Sequence, residues 1–144
     1  MRQLTLTLII STCFSVFVFG QDEAEKHPIE IEMEHCLSVD SNLTTIGMTT
    51  CVLNASEKWD KEMNRNYQLL KDELTEEQME KLKLAQRQWL EFRDKELAFS
   101  YDMYGSMQGT MWQNVAASQE YELIKARTLE LKVYYDMLTF DKEK

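Results

Sequence analysis

Between Trp59 and Asp94 the chain is apolar at helical spacing, contains no glycine or proline, and carries one polar interruption on each half. Asp60, Asn64 and Tyr67 recur at i, i+4 and i+7, and Gln86, Trp89 and Arg93 recur at i, i+3 and i+7, so each set occupies one helix face. Two antiparallel helices turning near Leu74-Thr75 can adopt one register that pairs Asp60 with Arg93, Asn64 with the level of Trp89, and Tyr67 with Gln86. Thr49 or Thr50 offers an N-cap for the first helix, which is expected to run to about Glu73. Its stripe is Met48, Val52, Ala55, Trp59, Met63, Leu70 and Leu74, with Tyr67 in the remaining slot. Thr75 with Gln78 forms a capping-box pattern, and Glu76 and Glu77 suit a helix N-terminus, so a second helix should begin at Glu76. Met79, Leu82, Trp89 and Leu97 continue its stripe, with Gln86 and Arg93 in core-type slots, until Gly105 to Thr110 break the pattern after Tyr104. A third helix, Met111 to Thr139, carries a seam of Ala117, Tyr121, Ile124, Thr128, Leu131, Tyr135 and Leu138. A second seam of Ala116, Leu123, Ala126, Val133 and Met137 widens it. These patterns predict an all-α fold, a three-helix antiparallel bundle with a loose N-terminal arm.

The first 20 residues read differently. Met1-Arg2-Gln3 is a short positive region, Leu4 to Phe19 is an apolar run, and Val18-Phe19-Gly20 resembles a signal-peptidase site, so residues 1–20 are expected to be a leader and Gln21 the mature start. A rival reading makes Ile10-Ser11-Thr12-Cys13 a lipoprotein signal with Cys13 lipidated, but Thr12 is a poor residue before the cysteine and Phe14 to Phe19 would be left as an apolar stub. The run falls short of the roughly 18 to 20 residues that span a bilayer. Residues 21–35, acidic and carrying the only proline, read as the arm, and residues 36–144 as the helical domain.

Composition narrows the partners. The formal net charge is −9, and loss of the leader with its Arg2 takes it to −10. Such a chain repels phosphate backbones and anionic lipid surfaces, which argues against nucleic acid and, after leader cleavage, against membranes; a basic protein is the favoured partner. The same charge also serves simple solubility. The sequence leaves the oligomeric state open. Two cysteines remain after processing, and in an oxidising compartment a Cys36–Cys51 disulfide is the expected state, contributing on the order of 3 kcal/mol by loop closure. A periplasmic or secreted location follows from the same reading.

Candidate chemistry is sparse. The polar inlay of Asp60, Asn64, Tyr67, Gln86, Trp89, Arg93 and neighbouring Asp94 reads first as a satisfied internal network that fixes helix register, and second as a binding site. His35 and Cys36, with Glu32, Glu34 and His27 nearby, have metal-ligand residue types but irregular spacing, and a disulfide withdraws Cys36; no metal or cofactor is expected. Both histidines lie in the arm and no nucleophile or phosphate-loop motif occurs. A pair of glycosidase-type carboxylates would need a cleft that so small a bundle hardly offers, so no catalytic residues are assigned and the chain is not expected to be an enzyme. The sequons at Asn42 and Asn54 matter only in a glycosylating host. The connection Gly105-Ser106-Met107-Gln108-Gly109, between Tyr104 and Trp112, is the candidate partner-binding loop, against the plainer reading of a link folded back on the bundle.

Three motifs together carry a family resemblance: Trp59-Asp60-x-Glu62-Met63-Asn64-x-x-Tyr67 after Cys51, Ala85-Gln86-x-x-Trp89-Leu90-x-Phe92-Arg93-Asp94, and Ala126-Arg127-Thr128-x-x-Leu131. In order and spacing they resemble the lysozyme-inhibitor-like family named after the lipoprotein LprI, over about Cys36 to Tyr135. The resemblance implies a small exported helical protein of the cell envelope that binds and inhibits lysozyme. Many relatives carry a second cysteine pair at the positions of Leu97 and Gln119, and its joint absence here suggests that Cys36 and Cys51 form the other bond. The leading expectation is thus an acidic binding protein that docks on a basic hydrolase. The alternative is a non-inhibitory structural or adaptor module of the envelope, which should show an apolar surface patch of several hundred Å².

Overall fold

The computed structural model describes residues 25–140 and 142. The expected leader, including Cys13, lies outside them. Among the described residues there are four helices and no strand: α1 (Pro28–Ser38), α2 (Thr45–Glu73), α3 (Glu76–Gly105) and α4 (Met111–Thr139), with a short 3-10 turn at Asp40–Asn42. None is long and apolar enough to cross a membrane.

The added helix corrects the expectation of a loose arm. Its N-cap is His27, an unusual choice: Nδ1 accepts from the Ile29 amide at 3.3 Å while the Glu30 carboxylate accepts from the His27 amide at 3.2 Å, closing a capping box around a proline at the first helical position. The Ile-Glu alternation at residues 29–32 obscured a second pattern, Ile29, Met33 and Cys36 at i, i+4 and i+7, which is the face α1 turns inward. Ile29 and Met33 pack with Val52, Ala55 and Trp59, and the His27 ring lies 4.3 Å from the ring of Trp59. The Cys36–Cys51 disulfide staples α1 to α2, and Lys125 Nζ of α4 donates to Glu30 at 2.5 Å from the other side.

α2 begins at Thr45, one turn earlier than the Thr49 or Thr50 start, because Thr44 takes the cap and its hydroxyl accepts from the Gly47 amide at 3.0 Å. Gly47 is required by sterics: a Cβ there would lie 2.6 Å from the backbone of Asn42, where the 3-10 turn crosses the helix. The Thr75–Gln78 capping box opens α3 as expected.

The helices run up, down and up, so α2 and α4 are parallel, and these two make the closest and longest contact in the molecule. Small side chains along the seam, Ala55, Ser56, Ala116, Ala117 and Thr128, are all buried and let the backbones approach. Thr45 and Thr110 hydroxyls meet at 3.1 Å near one end, and Lys142 pairs with Glu73 near the other. The core follows this seam in two clusters, one around Trp59, Ala117, Tyr121 and Ile124, the other around Met63, Leu70 and Leu131, with Trp89 touching both. The first α4 seam is buried down to Leu131, whereas Val133 and Met137 of the second are exposed.

Consecutive α2 and α3 therefore do not form a tight hairpin. Their backbones scarcely approach each other, and α3, which buries only Gln86 and Ser100 fully, reaches the core through long side chains. That stand-off leaves room for the features described next.

Candidate functional site

Arg93, at mid-helix on α3, spans the gap to α2. Its Nη1 donates to Asp60 Oδ1 at 3.2 Å, its Nη2 and Nε donate to Asp94 Oδ1 at 2.8 and 3.0 Å, and its guanidinium lies 5.7 Å from the centre of the Trp89 ring. Asn64 is exposed and folds back on its own helix, donating to the Asp60 carbonyl at 2.8 Å and to Asp60 Oδ2 at 3.2 Å, and so does not reach the level of Trp89. The Asp60 side chain is 40% exposed and that of Arg93 21% exposed, so this cluster sits at the edge of the core, in contact with solvent.

Tyr67 and Gln86 do not bond to each other. Tyr67 packs against the cluster of Met63, Leu70 and Leu131, while Gln86 bonds elsewhere: its Nε2 donates to Met63 Sδ at 3.5 Å and its Oε1 accepts from Arg127 Nε at 2.9 Å. Because α3 stands off from α2, the Gln86 carbonyl oxygen finds its donor on α4, while its amide nitrogen reaches the Met63 sulfur on α2. Arg127 Nη1 continues to Glu130 at 2.6 Å, and Tyr134 donates its hydroxyl to the same carboxylate at 2.7 Å. The Tyr134 bond, then Arg127, hold the Glu130 carboxyl below its ordinary range against the opposing effect of burial. Thr128 ties the parallel pair: its hydroxyl lies 3.0 Å from the Trp59 carbonyl and 2.9 Å from that of Ile124, and its own carbonyl accepts from Asn66 Nδ2 at 3.2 Å. Arg127 and Thr128 belong to a motif quoted above but were not assigned to the inlay. An arginine next to a seam position, like Arg93 on α3, was the available signal.

In the α3–α4 connection the Tyr104 and Trp112 rings stack at 5.8 Å and Trp112 Nε1 donates to the Gln108 carbonyl at 3.1 Å, which closes the loop on itself. Gly109 has φ of +99°, the left-handed conformation that favours glycine. Ser106 Oγ donates inward to the Met103 carbonyl at 2.7 Å, so Gln108 is the polar side chain left facing out, beside an exposed Met107.

Where α3 stands away, α2, α3 and α4 bound an open cleft of about 450 Å³. Asp60, Arg93 and Asp94 line it, together with Glu57, Glu120 and Leu97. Tyr101 donates to Glu120 Oε2 at 2.8 Å, and burial, reinforced by this carboxylate, raises the Tyr101 hydroxyl pKa well above its ordinary value. Among the described residues no three His, Cys, Asp or Glu side chains converge as a metal site.

The sequence profile of the family described as lysozyme inhibitor LprI matches residues 32–131, from the middle of α1 through Leu131 of α4, and so takes in the cleft, the loop and both polar clusters apart from Tyr134. The chain belongs to the LprI family. Among solved structures, the chain is similar to an uncharacterized protein from Burkholderia thailandensis, known from a crystal structure, at a TM-score of 0.76 and 26% identity. The match covers 81% of this chain but 57% of the other, so this chain corresponds to little more than half of that protein. No curated protein matches the sequence. In LprI terms, the motif residues Trp59, Met63, Gln86, Arg127, Thr128 and Leu131 build the seam between the helices, while Asp60, Arg93 and Asp94 open onto the cleft.

Proposed function

We propose that this protein is an exported binding protein that inhibits lysozyme-type peptidoglycan hydrolases by docking on them, without catalysis of its own. The observation that carries the reading is the match to the lysozyme inhibitor LprI family across most of the bundle's core. The formal net charge of −9 suits a basic partner, and the disulfide suits an oxidising compartment, periplasmic or extracellular. The loop Gly105 to Gly109 contributes Met107 and Gln108 to the contact, held rigid by the Tyr104–Trp112 stack. It lies about 16 Å along α3 from Asp94, close enough for loop and cleft to share one interface of ordinary size.

The test is clearance of a peptidoglycan suspension by lysozyme with the chain from Gln21 added. Expected is a rate that falls to a plateau near one inhibitor per enzyme; clearance unchanged at large molar excess overturns the proposal. Replacing Ser106-Met107-Gln108 by Gly-Ser-Gly should weaken inhibition that persists at about 0.5 M salt, where the Debye length falls well below 10 Å; undiminished inhibition removes the loop from the contact.

One observation favours the second reading, a non-inhibitory adaptor of the envelope. Val133, Met137 and Phe140 are all more than half exposed near the end of α4. Retrieval of an envelope protein through that face, unaffected by competing lysozyme, would favour the adaptor.

A further inference from the structure

The cleft between α2, α3 and α4 has walls of two kinds. Leu97 and Ile124 give it an apolar side, while Glu57, Asp60, Asp94 and Glu120 place four carboxylates around it from three different helices, against two cations, Lys61 and Arg93. The charge of Arg93 is taken up by Asp60 and Asp94, and the Asp94 bonds use Oδ1 alone. Tyr101 uses Oε2 of Glu120, and among the described residues Glu57 and Lys61 form no ion pair. Glu57, Asp94 and Glu120 therefore line one open cleft with carboxylate oxygens outside these bonds, beside the hydrocarbon of Leu97 and Ile124.

A ligand that fits must combine an aliphatic stem with a cationic, multiply donating head. An anion would meet net negative charge and an arginine whose guanidinium is already covered. A bare divalent ion would find no three carboxylates close enough to share it. A long basic side chain satisfies both walls, laying its methylenes on Leu97 and Ile124 and its head among the carboxylates. The volume of about 450 Å³ lies within the range of side-chain and small-ligand pockets.

We propose that this cleft is the anchor point for the partner, receiving one arginine or lysine side chain from the surface of the basic protein it binds. The proposal rests on the inhibitory reading above for the identity of the partner but not for the chemistry of the cleft. It follows that the outward acidic charge brings the partner close, and the cleft fixes where it sits.

Two measurements test this separately. In the first, n-butylguanidinium is titrated into the ¹⁵N-labelled chain from Gln21, with n-butanol and butyrate as controls. Expected are saturable amide shifts at Glu57, Asp94, Leu97 and Glu120 with the guanidinium alone. Shifts that do not saturate, or that spread evenly over surface carboxylates, overturn the proposal whatever becomes of lysozyme inhibition. In the second, the triple variant Glu57→Gln, Asp94→Asn, Glu120→Gln is compared with Asp72→Asn, Glu91→Gln, Glu122→Gln, which removes the same charge outside the cleft, both checked for unchanged thermal unfolding. Lysozyme affinity should fall on the order of tenfold more in the cleft variant than in the control. Equal losses in the two variants overturn the anchor. A wild-type chain that binds no lysozyme overturns the inhibitory reading instead, and the guanidinium titration then decides the cleft.

Discussion

At the residue scale, the two arginines of the inlay differ in what depends on them. Arg127 is 8% exposed and, among the described residues, is the only donor to the buried Gln86 Oε1, so Arg127→Ala leaves that acceptor orphaned and should cost about 2 to 3 kcal/mol. Arg93 pairs with carboxylates that retain water, and Arg93→Ala should cost about 1 kcal/mol, less than a sealed core pair would imply. Urea unfolding midpoints of the two variants measure this, and the reverse order would contradict the assignment of Arg127 as the inner partner. The register argument brought Asp60 and Arg93 opposite each other, and the long Arg93 side chain bridges two helices that stand apart. It failed for Asn64, which folds back on Asp60 of its own helix, and for Tyr67 with Gln86, whose amide is taken up by Met63 and Arg127. Periodicity names the face a residue occupies; it does not give the distance between two faces.

At the element scale, boundaries marked by strong local chemistry were legible. Thr75 with Gln78 and the Gly105 to Thr110 break both fall where the sequence placed them. α1 was hidden because its cap is a histidine and its inward face is only three residues long. Its attachment is in part electrostatic, which gives it a pH dependence. The bond from Lys125 is the main cause holding the Glu30 carboxyl below its ordinary range, and the same bond raises Lys125. A depressed carboxyl adds stability that is present above its unfolded value near 4.5 and is lost as pH falls through the lower folded one. A raised lysine adds stability that is present below its unfolded value near 10.5 and is lost as pH rises through the higher folded one. The clasp is therefore closed across neutral pH and opens in acid. Between neutral pH and about pH 3, the unfolding midpoint of the wild type should fall more steeply than that of Lys125→Met. Parallel slopes would show that the clasp does not contribute.

At the scale of the whole molecule, net charge acts on encounter and the cleft on retention, as proposed above. Raising ionic strength from about 0.05 to 0.5 M should slow association with a basic partner by tenfold or more while changing dissociation far less. Surface plasmon resonance separates the two rates; a salt effect confined to dissociation would argue against steering. The parallel seating of α2 on α4 has a different kind of consequence. Trp59 is sealed by Ala117, Tyr121 and Ile124, so the main core joins segments roughly half the chain apart, with α3 as the intervening crossover. Most small helical bundles grow from neighbouring helices and fold fast; here the long neighbours α2 and α3 barely touch, so the entropy of closing a long loop must be met before the main core is buried. An emerging chain cannot complete its core until nearly all of α4 has been made. For a protein that crosses a membrane before it folds, as proposed above, that delay keeps the chain threadable, and the architecture itself acts as a timer on its own folding.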